Sequence, residues 1–396
     1  MTHWNSFNDF LRDALEATTD EQRQTLVDAL LASRAQFPWI EGNRATFILS
    51  RLGVQTAAVN LDTIPADPPF AMMTNLPGTT LWYVTREFQA DDLLDYMLAI
   101  DDPLTPLAGE QNVIERVSRH WQVDPSNPLR MDTPQMNVSV LRMNAARPFP
   151  DWAAMPRVPR GQILEHTVDS AQVGFSGRRL WVYTPPGYEN AAGALPLLVL
   201  HDGQWMIGPL QVPYIADALV KHGRIQPAII AMLQSGGQDE RLREYVSNDR
   251  HYAFLLTELL PLLQTQYRVD STRIGVGGVA LGALAAAHAA LNNPAVFANL
   301  IMISPPLGRG AMQEQLAAYS ERFADAELLP RRIFQSVGRY EARSRFVRPA
   351  QSLQESLQSR TSVAYKFAEI GSGHGLVGFR SILPEALSWI IPKNEA

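Results

Sequence analysis

One segment of the chain has the spacing of a catalytic turn. Arg273-Ile274-Gly275-Val276-Gly277-Gly278-Val279-Ala280-Leu281-Gly282-Ala283 reads as a strand, a tight glycine-bounded turn and an alanine-rich helix. A G-x-S-x-G nucleophile elbow needs small residues around its centre, because the turn is too sharp for larger side chains. That turn lifts a hydroxyl over the end of a sheet, at a helix N-terminus that favours developing negative charge. Gly278 and Gly282 are in place, but the centre is Ala280, which has no oxygen to attack with. A dinucleotide-binding loop also clusters glycines after a strand. Here Gly275, Gly277 and Gly278 run too close together for G-x-G-x-x-G, and no acidic residue stands about 20 positions on.

The other members of a hydrolytic triad follow in the order nucleophile, acid, histidine that this strand–turn–helix architecture uses. Glu341 stands just beyond the strand-like run RIFQSVG, and His374 stands in a glycine-flanked loop beyond VAYKFAEI. The imidazole would take and return a proton, and the carboxylate would fix its tautomer. An oxyanion hole needs two backbone N–H groups. Leu281, after the nucleophile position, would supply one; the turn His201-Asp202-Gly203-Gln204-Trp205, through Gly203 and Gln204, would supply the other. His201 with Asp202 lacks a third ligand at metal-site spacing, so neither a metal nor a cofactor is expected.

These residues must be carried by a scaffold, and the chain's texture changes three times. Residues 6–35 read as helical, with Thr19 and Gln22 spaced as a capping box. From about 44 to 150, runs such as RATFILSRLG, TTLWYVTREF and NVSVLRM alternate and favour branched or aromatic residues. After Gly161 strands and helices alternate: LPLLVLHDG, VPYIADALVKHG, QPAIIAML, HYAFLLTELLPLLQTQY, RIGVGG and so on to LPEALSWI. Such βα alternation implies a mainly parallel sheet with helices on both faces. The expected organisation is a helical segment 1–43, a β-sandwich 44–150, a proline-rich linker 151–160 and an α/β-hydrolase domain 161–396.

Composition removes several classes. Hydrophobic residues make up 46% of 396, enough for sizeable cores, and a net charge of −6 without a basic stripe argues against nucleic acid. Without cysteine there can be no disulfide framework, thiolate zinc site or cysteine nucleophile. No apolar run is long enough for a membrane span, and the acid-bearing N-terminal stretch does not read as a secretory leader, so a cytoplasmic protein is expected.

Beyond these patterns, the chain resembles the enterochelin (enterobactin) esterase family. The resemblance runs from about residue 44 to 392 and rests on the HDGQW turn, Arg241-Leu242-Arg243-Glu244-Tyr245 with Asn248, the elbow, Gly338-Arg339-Tyr340-Glu341, and Gly373-His374. The N-terminal part is similar to the family's accessory domain in LWYVTREF, WQVDPSNPLRM and VSVLRM, whereas residues 1–40 lie outside the pattern. The resemblance implies an ester hydrolase acting on ferric catecholate siderophores, with Ala280 at the nucleophile position, His374 as base and Glu341 as acid. It also implies that Arg241 faces the substrate, with Trp205 of the HDGQW turn and Arg339 beside Glu341 as further substrate contacts. A trianionic ferric tris-catecholate would need such guanidinium partners, and any iron would arrive with it. Where the family has a serine- and tryptophan-rich strand end, this chain has Ile303-Ser304-Pro305-Pro306-Leu307, so the bound acyl group is expected to differ. The alanine leaves three readings: an esterase scaffold with its serine replaced, naturally or by introduction; a siderophore- or acyl-binding protein on the same fold; and an acyltransferase. A feruloyl-type esterase is a further relative of the same chemistry. Retention of both glycines, His374 and Glu341 favours a recent or introduced Ser-to-Ala exchange, hence a protein inactive as it stands.

Overall fold

The computed structural model describes residues 4–34, 36–133, 136–190, 193–308 and 313–393, without the side chains of 313–318. The chain forms two compact units, one of residues 1–147 with 371–377, the other of 148–370 with 378–396.

The first unit opens with helices α1 (Phe7–Glu16) and α2 (Asp20–Ser33). Ser6 caps α1, its Oγ accepting from the Asp9 N–H at 3.0 Å. Thr19 and Gln22 form the capping box at the start of α2. Strands follow: β1 (Trp39–Glu41), β2 (Arg44–Ser50), β3 (Ala57–Asn60), β4 (Phe70–Met72), β5 (Thr74–Asn75), β6 (Leu81–Glu87) and β7 (Leu93–Ile100). After helix α3 (Val113–His120) come β8 (Trp121–Gln122), β9 (Arg130–Met131) and β10 (Val138–Arg142). Pairing gives a sheet β1-β2-β6-β5 and a second sheet β4-β3-β7-β10-β9 with β8 on β7, all antiparallel where paired. Phe47 of β2 meets Tyr96 of β7 edge to face at 4.9 Å, joining the sheets through an aromatic core.

The helical reading of residues 1–43 stops too late, because Trp39–Glu41 is a strand pairing with β2. Nor do the helices stand apart. Trp4, Phe7, Phe10, Val27 and Leu30 are buried in one cluster with Trp39, Ile48, Leu76 and Leu81 of the β-structure. Burying such large side chains contributes about 1.5–3 kcal/mol each, which binds this segment to the sheet.

The second unit carries β11 (Gln162–Ser170), β12 (Phe175–Thr184), β13 (Leu195–His201), α4 (Gly203–Ile207), α5 (Val212–Lys221), β14 (Ile229–Leu233), α6 (Gln238–Tyr245), α7 (Asp249–Phe254) and α8 (Leu260–Gln266). It continues through β15 (Val269–Val279), α9 (Leu281–Asn292), β16 (Phe297–Ile303), α10 (Gln313–Asp325), β17 (Arg332–Gly338), α11 (Arg348–Gln358), β18 (Ala364–Ile370) and α12 (Leu376–Ile390). Its eight strands order as β11-β12-β14-β13-β15-β16-β17-β18; β11 and β12 pair antiparallel, and the six strands from β14 to β18 are parallel. This is the mainly parallel, helix-covered sheet that the βα alternation implies. Continuous apolar runs such as β14, buried at every residue, are what a strand covered on both faces requires. Residues 151–160 are held to this unit: Trp152 N–H donates to Gln211 Oε1 at 2.9 Å, and Arg160 reaches the carbonyls of Trp152, Ala153 and Met155. No helix among the described residues is long and apolar enough to cross a membrane.

Candidate active site

The centre of the second unit is the turn between β15 and α9. Ala280 sits there at φ 49°, ψ −121°, a left-handed backbone that an L residue adopts only under constraint. The constraint is visible. Ala280 N–H donates to Ile303 O of β16 at 2.9 Å, and Ala280 O accepts from Ala283 N–H at 3.1 Å. A Cβ on Gly278 would lie 2.4 Å from the Gly282 carbonyl carbon. A Cβ on Gly282 would lie 2.6 Å from Asp202 Oδ2 and 3.0 Å from His201 Cβ. Gly278 is therefore required by the close approach of backbone, and Gly282 by the Asp202 and His201 side chains, which join the elbow to the HDGQW turn.

That turn ends β13, the neighbour of β15. Asp202 takes a left-handed conformation (φ 59°, ψ 49°), and α4 begins at Gly203. A Cβ on Gly203 would stand 2.4 Å from Met232 O, so only glycine lets α4 pack on the end of β14. Gly203 and Gln204 occupy the first turn of α4, and Leu281 the first position of α9, where backbone N–H groups have no intrahelical acceptor. Gln204 uses its side chain elsewhere, its amide donating to Ser235 Oγ at 2.7 Å and accepting from Ser235 N–H at 3.1 Å.

Arg241 departs from the role expected of it. Its guanidinium, on α6, donates through Nε and Nη2 to the two oxygens of Asp202, each at 2.7 Å. The pair is almost wholly buried, with side-chain exposures of 7% and 0%. The same guanidinium lies 4.7 Å from the Trp205 ring centre, so Trp205 is packed against Arg241 as well. This geometry fixes the HDGQW turn rather than presenting a cation to solvent. Glu244 and Asn248 of the same motif are structural too. Glu244 forms a two-pronged pair with Arg178 at 2.5 Å on each arm, and Asn248 Oδ1 accepts from the N–H groups of Arg250 and His251.

Beneath the turn lies a pair of buried histidines that sequence reasoning passed over. His201 Nδ1 is 3.1 Å from Gly277 O, and His201 Nε2 is 3.0 Å from His251 Nε2. A carbonyl only accepts, so His201 carries its hydrogen on Nδ1, and its Nε2 accepts from His251 Nε2–H. His251 Nδ1 is then an acceptor, buried with no partner among the described residues. Burial lowers both imidazoles, His251 well below the usual range, which fits two neutral rings.

Glu341 is buried at the C-terminal end of β17. Its Oε1 accepts from Ser304 Oγ at 2.5 Å and from Gly338 N–H at 3.0 Å. Ser304 itself sits at φ 50° and donates its N–H to Ser336 O. Ile303 thus holds Ala280 while the next residue, Ser304, holds Glu341. The signal was available: Ser304 lies in the strand end where the chain leaves the family pattern. Arg339, on the same turn, reaches Glu369 at 3.4 Å.

His374 lies in the segment 371–377, just before α12, which groups with the first unit. Leu93 N–H donates to Gly371 O at 2.7 Å. A Cβ on Gly373 would collide with the Asp62 carboxylate, and one on Gly375 would stand 2.7 Å from Asp95 Oδ1. Glycines at 373 and 375 let the loop lie directly against these carboxylates as they stand. Burial raises the Asp95 carboxyl, opposed by its own backbone N–H and by the charge of His374. No cluster of metal-ligating residues occurs among the described residues.

The fold has solved counterparts. The enterobactin esterase of Shigella flexneri, crystallised in the presence of enterobactin, is 22% identical, with 92% of this chain and 97% of that one aligned at a TM-score of 0.75. The ferric enterobactin esterase of Salmonella typhimurium is likewise 22% identical, over 92% and 98%, at 0.77. A ferulic acid esterase aligns over 59% of this chain and 99% of its own, at 18% identity and 0.50. At these identities the likeness establishes the shared fold. A sequence profile of esterases matches residues 176–390, more than half of the chain and the run from within β12 to the end of α12. The chain belongs to the Esterase family.

Proposed function

We propose that this chain is an esterase scaffold that binds an aryl or catechol ester and, with Ala280 in the nucleophile position, holds it without turning it over. The observation that carries the reading is the strained backbone of Ala280, at φ 49°, between two glycines that admit no side chain. Strain of this kind costs on the order of 1–3 kcal/mol and persists where the surroundings over-determine it. An alanine gains nothing from being raised on such a turn; a hydroxyl does.

In the proposed site Leu281, Gly203 and Gln204 offer backbone N–H groups to the carbonyl oxygen. His374 is the base, and Glu341, fixed by Ser304 and Gly338, is its acid partner. Restored as serine, residue 280 would give its proton to His374 as its oxygen attacks the carbonyl carbon. The protonated imidazole would then return that proton to the departing alcohol. Water would attack the resulting acyl-enzyme in the second half, with His374 again taking and returning the proton. Loss of a nucleophile costs about 10⁶-fold in kcat in a related triad, so the alanine form should bind ester and release it intact.

The substrate class follows the relatives: the Shigella flexneri enzyme was crystallised in the presence of enterobactin and, separately, of 2,3-dihydroxy-N-benzoyl-serine. A ferric catecholate triester is therefore the proposed ligand, with the acyl end of the pocket reshaped by Ser304-Pro305-Pro306. Arg241 is assigned to positioning Asp202, and Arg339 remains the candidate cation at the substrate. An acyltransferase would use the same groups with an alcohol or amine in place of water. The test is Ala280→Ser assayed on catechol and simple aryl esters, with product analysis in the presence and absence of acceptor alcohols. Hydrolysis supports the reading, whereas acyl transfer at the expense of hydrolysis replaces it.

A further inference from the structure

Helix α6 has two working faces. Arg241 and Tyr245 turn towards the HDGQW turn, Tyr245 packing on His201 with ring centres 5.1 Å apart. Glu240, Arg243 and Glu244 line a different space, a cleft of about 580 Å³ completed by Val173, Phe175, Arg178 and Arg250. Because β12 runs antiparallel to β14, with Leu180 opposite Leu233, Arg178 lies beyond the C-terminal end of β14. The cleft therefore opens at the same end of the sheet as Ala280, separated from the elbow by the body of α6, about 10 Å across with its side chains.

The charges of this cleft do not cancel. Glu244 is occupied by Arg178 in the buried two-pronged pair, and Phe175 backs that guanidinium at 4.1 Å. Glu240 is turned to its own helix, Oε2 accepting from Gly237 N–H at 2.9 Å. Arg243 and Arg250 are exposed, and among the described residues neither makes an ion pair. Both sit on a rigid corner: Asn248 Nδ2 donates to Arg243 O at 2.8 Å, while its Oδ1 accepts from Arg250 N–H at 2.9 Å. Two exposed guanidinium groups without an ion pair among the described residues, set against the one remaining carboxylate of Glu240, leave a cleft of small-molecule size with a surplus of positive charge suited to an anion.

We propose that this cleft is a second binding site, for a small organic oxyanion bearing carboxylate or phosphate groups, with Arg243 and Arg250 as its principal ligand contacts. Arg178 and Glu244 form the neutral floor, and Phe175 and Val173 give the ligand an apolar wall. The site does not depend on the residue at position 280 and takes its ligand whether or not the elbow is catalytic.

The test is calorimetric titration of the whole protein, as it stands, with citrate and separately with inorganic phosphate at low ionic strength. The Arg243→Gln/Arg250→Gln double variant is compared, with its melting temperature recorded without anion. Binding of either probe at submillimolar concentration, weakened at least tenfold in the double variant at unchanged melting temperature, supports the site. Citrate binding alone identifies carboxylate chemistry; phosphate binding alone identifies a phosphate group. Absence of binding by both probes, or binding that the double variant leaves unchanged, overturns the proposal. If the double variant melts early, the single Arg250→Gln variant decides by the same criterion.

Discussion

Replacing Arg241 by methionine separates a positioning role from a substrate-binding one. The guanidinium makes two 2.7 Å bonds to Asp202, whose side chain is fully buried. Methionine preserves much of the apolar stem but strands the carboxylate, and breaking a buried pair from one side costs about 3–5 kcal/mol. For a unit of this size, ~2–4 °C of melting temperature accompanies each kcal/mol, so a fall of about 6–20 °C is expected. Asp202→Asn tolerates the left-handed backbone and strands the guanidinium instead. The double variant Asp202→Asn/Arg241→Met leaves neither charge alone and should lose clearly less than the sum of the two. Urea denaturation followed by tryptophan fluorescence gives the three free energies, and a separate titration with a catechol ester gives affinity. A loss under about 1 kcal/mol in Arg241→Met, joined to a tenfold or greater loss of ligand affinity, would refute the positioning role and return Arg241 to the substrate.

Further outcomes follow from the same geometry. Gly278→Ala should be more damaging than Gly282→Ala, because its Cβ meets backbone at 2.4 Å rather than a carboxylate oxygen at 2.6 Å; soluble yield and melting temperature of the two variants rank them. Ser304→Ala removes the hydroxyl donor to Glu341, worth about 1.5–3 kcal/mol for a bond to a charged group. In the Ala280→Ser background it should lower kcat more than it changes KM. His201 and His251 are held neutral, with folded values below the unfolded value of about 6.5. The unfolded chain therefore binds protons that the folded one refuses, so stability is full above roughly pH 6.5 and falls below it, by up to about 1.4 kcal/mol per unit for each ring. Denaturation midpoints between pH 7.5 and 5 measure this, and a flat profile would contradict two neutral buried rings.

Much of the architecture could be read in the residues because it rests on local rules. The continuous apolar runs gave the parallel strands, the Thr19–Gln22 spacing gave a real capping box, and Gly-x-Ala-x-Gly placed the elbow. What escaped needed contacts between distant residues. Trp39 pairs in a strand because Thr46 lies opposite it, and nothing within residues 1–43 announces that partner. Arg241 looks like a substrate cation until Asp202, 39 residues away, is found to accept both its bonds. Ser304 became a support for Glu341 only once β16 and β17 lay side by side. The histidine pair was hidden for the same reason, since His201 and His251 are 50 residues apart.

The central claim is that the chain is an esterase site lacking only the attacking oxygen, and Ala280→Ser tests it most directly. Turnover of catechol and simple aryl esters by the serine variant should exceed that of the alanine form by on the order of 10⁴–10⁶ in kcat, with the ligand affinity of the two forms alike. A folded serine variant that binds the ester as tightly and hydrolyses it no faster than the alanine form would contradict the account.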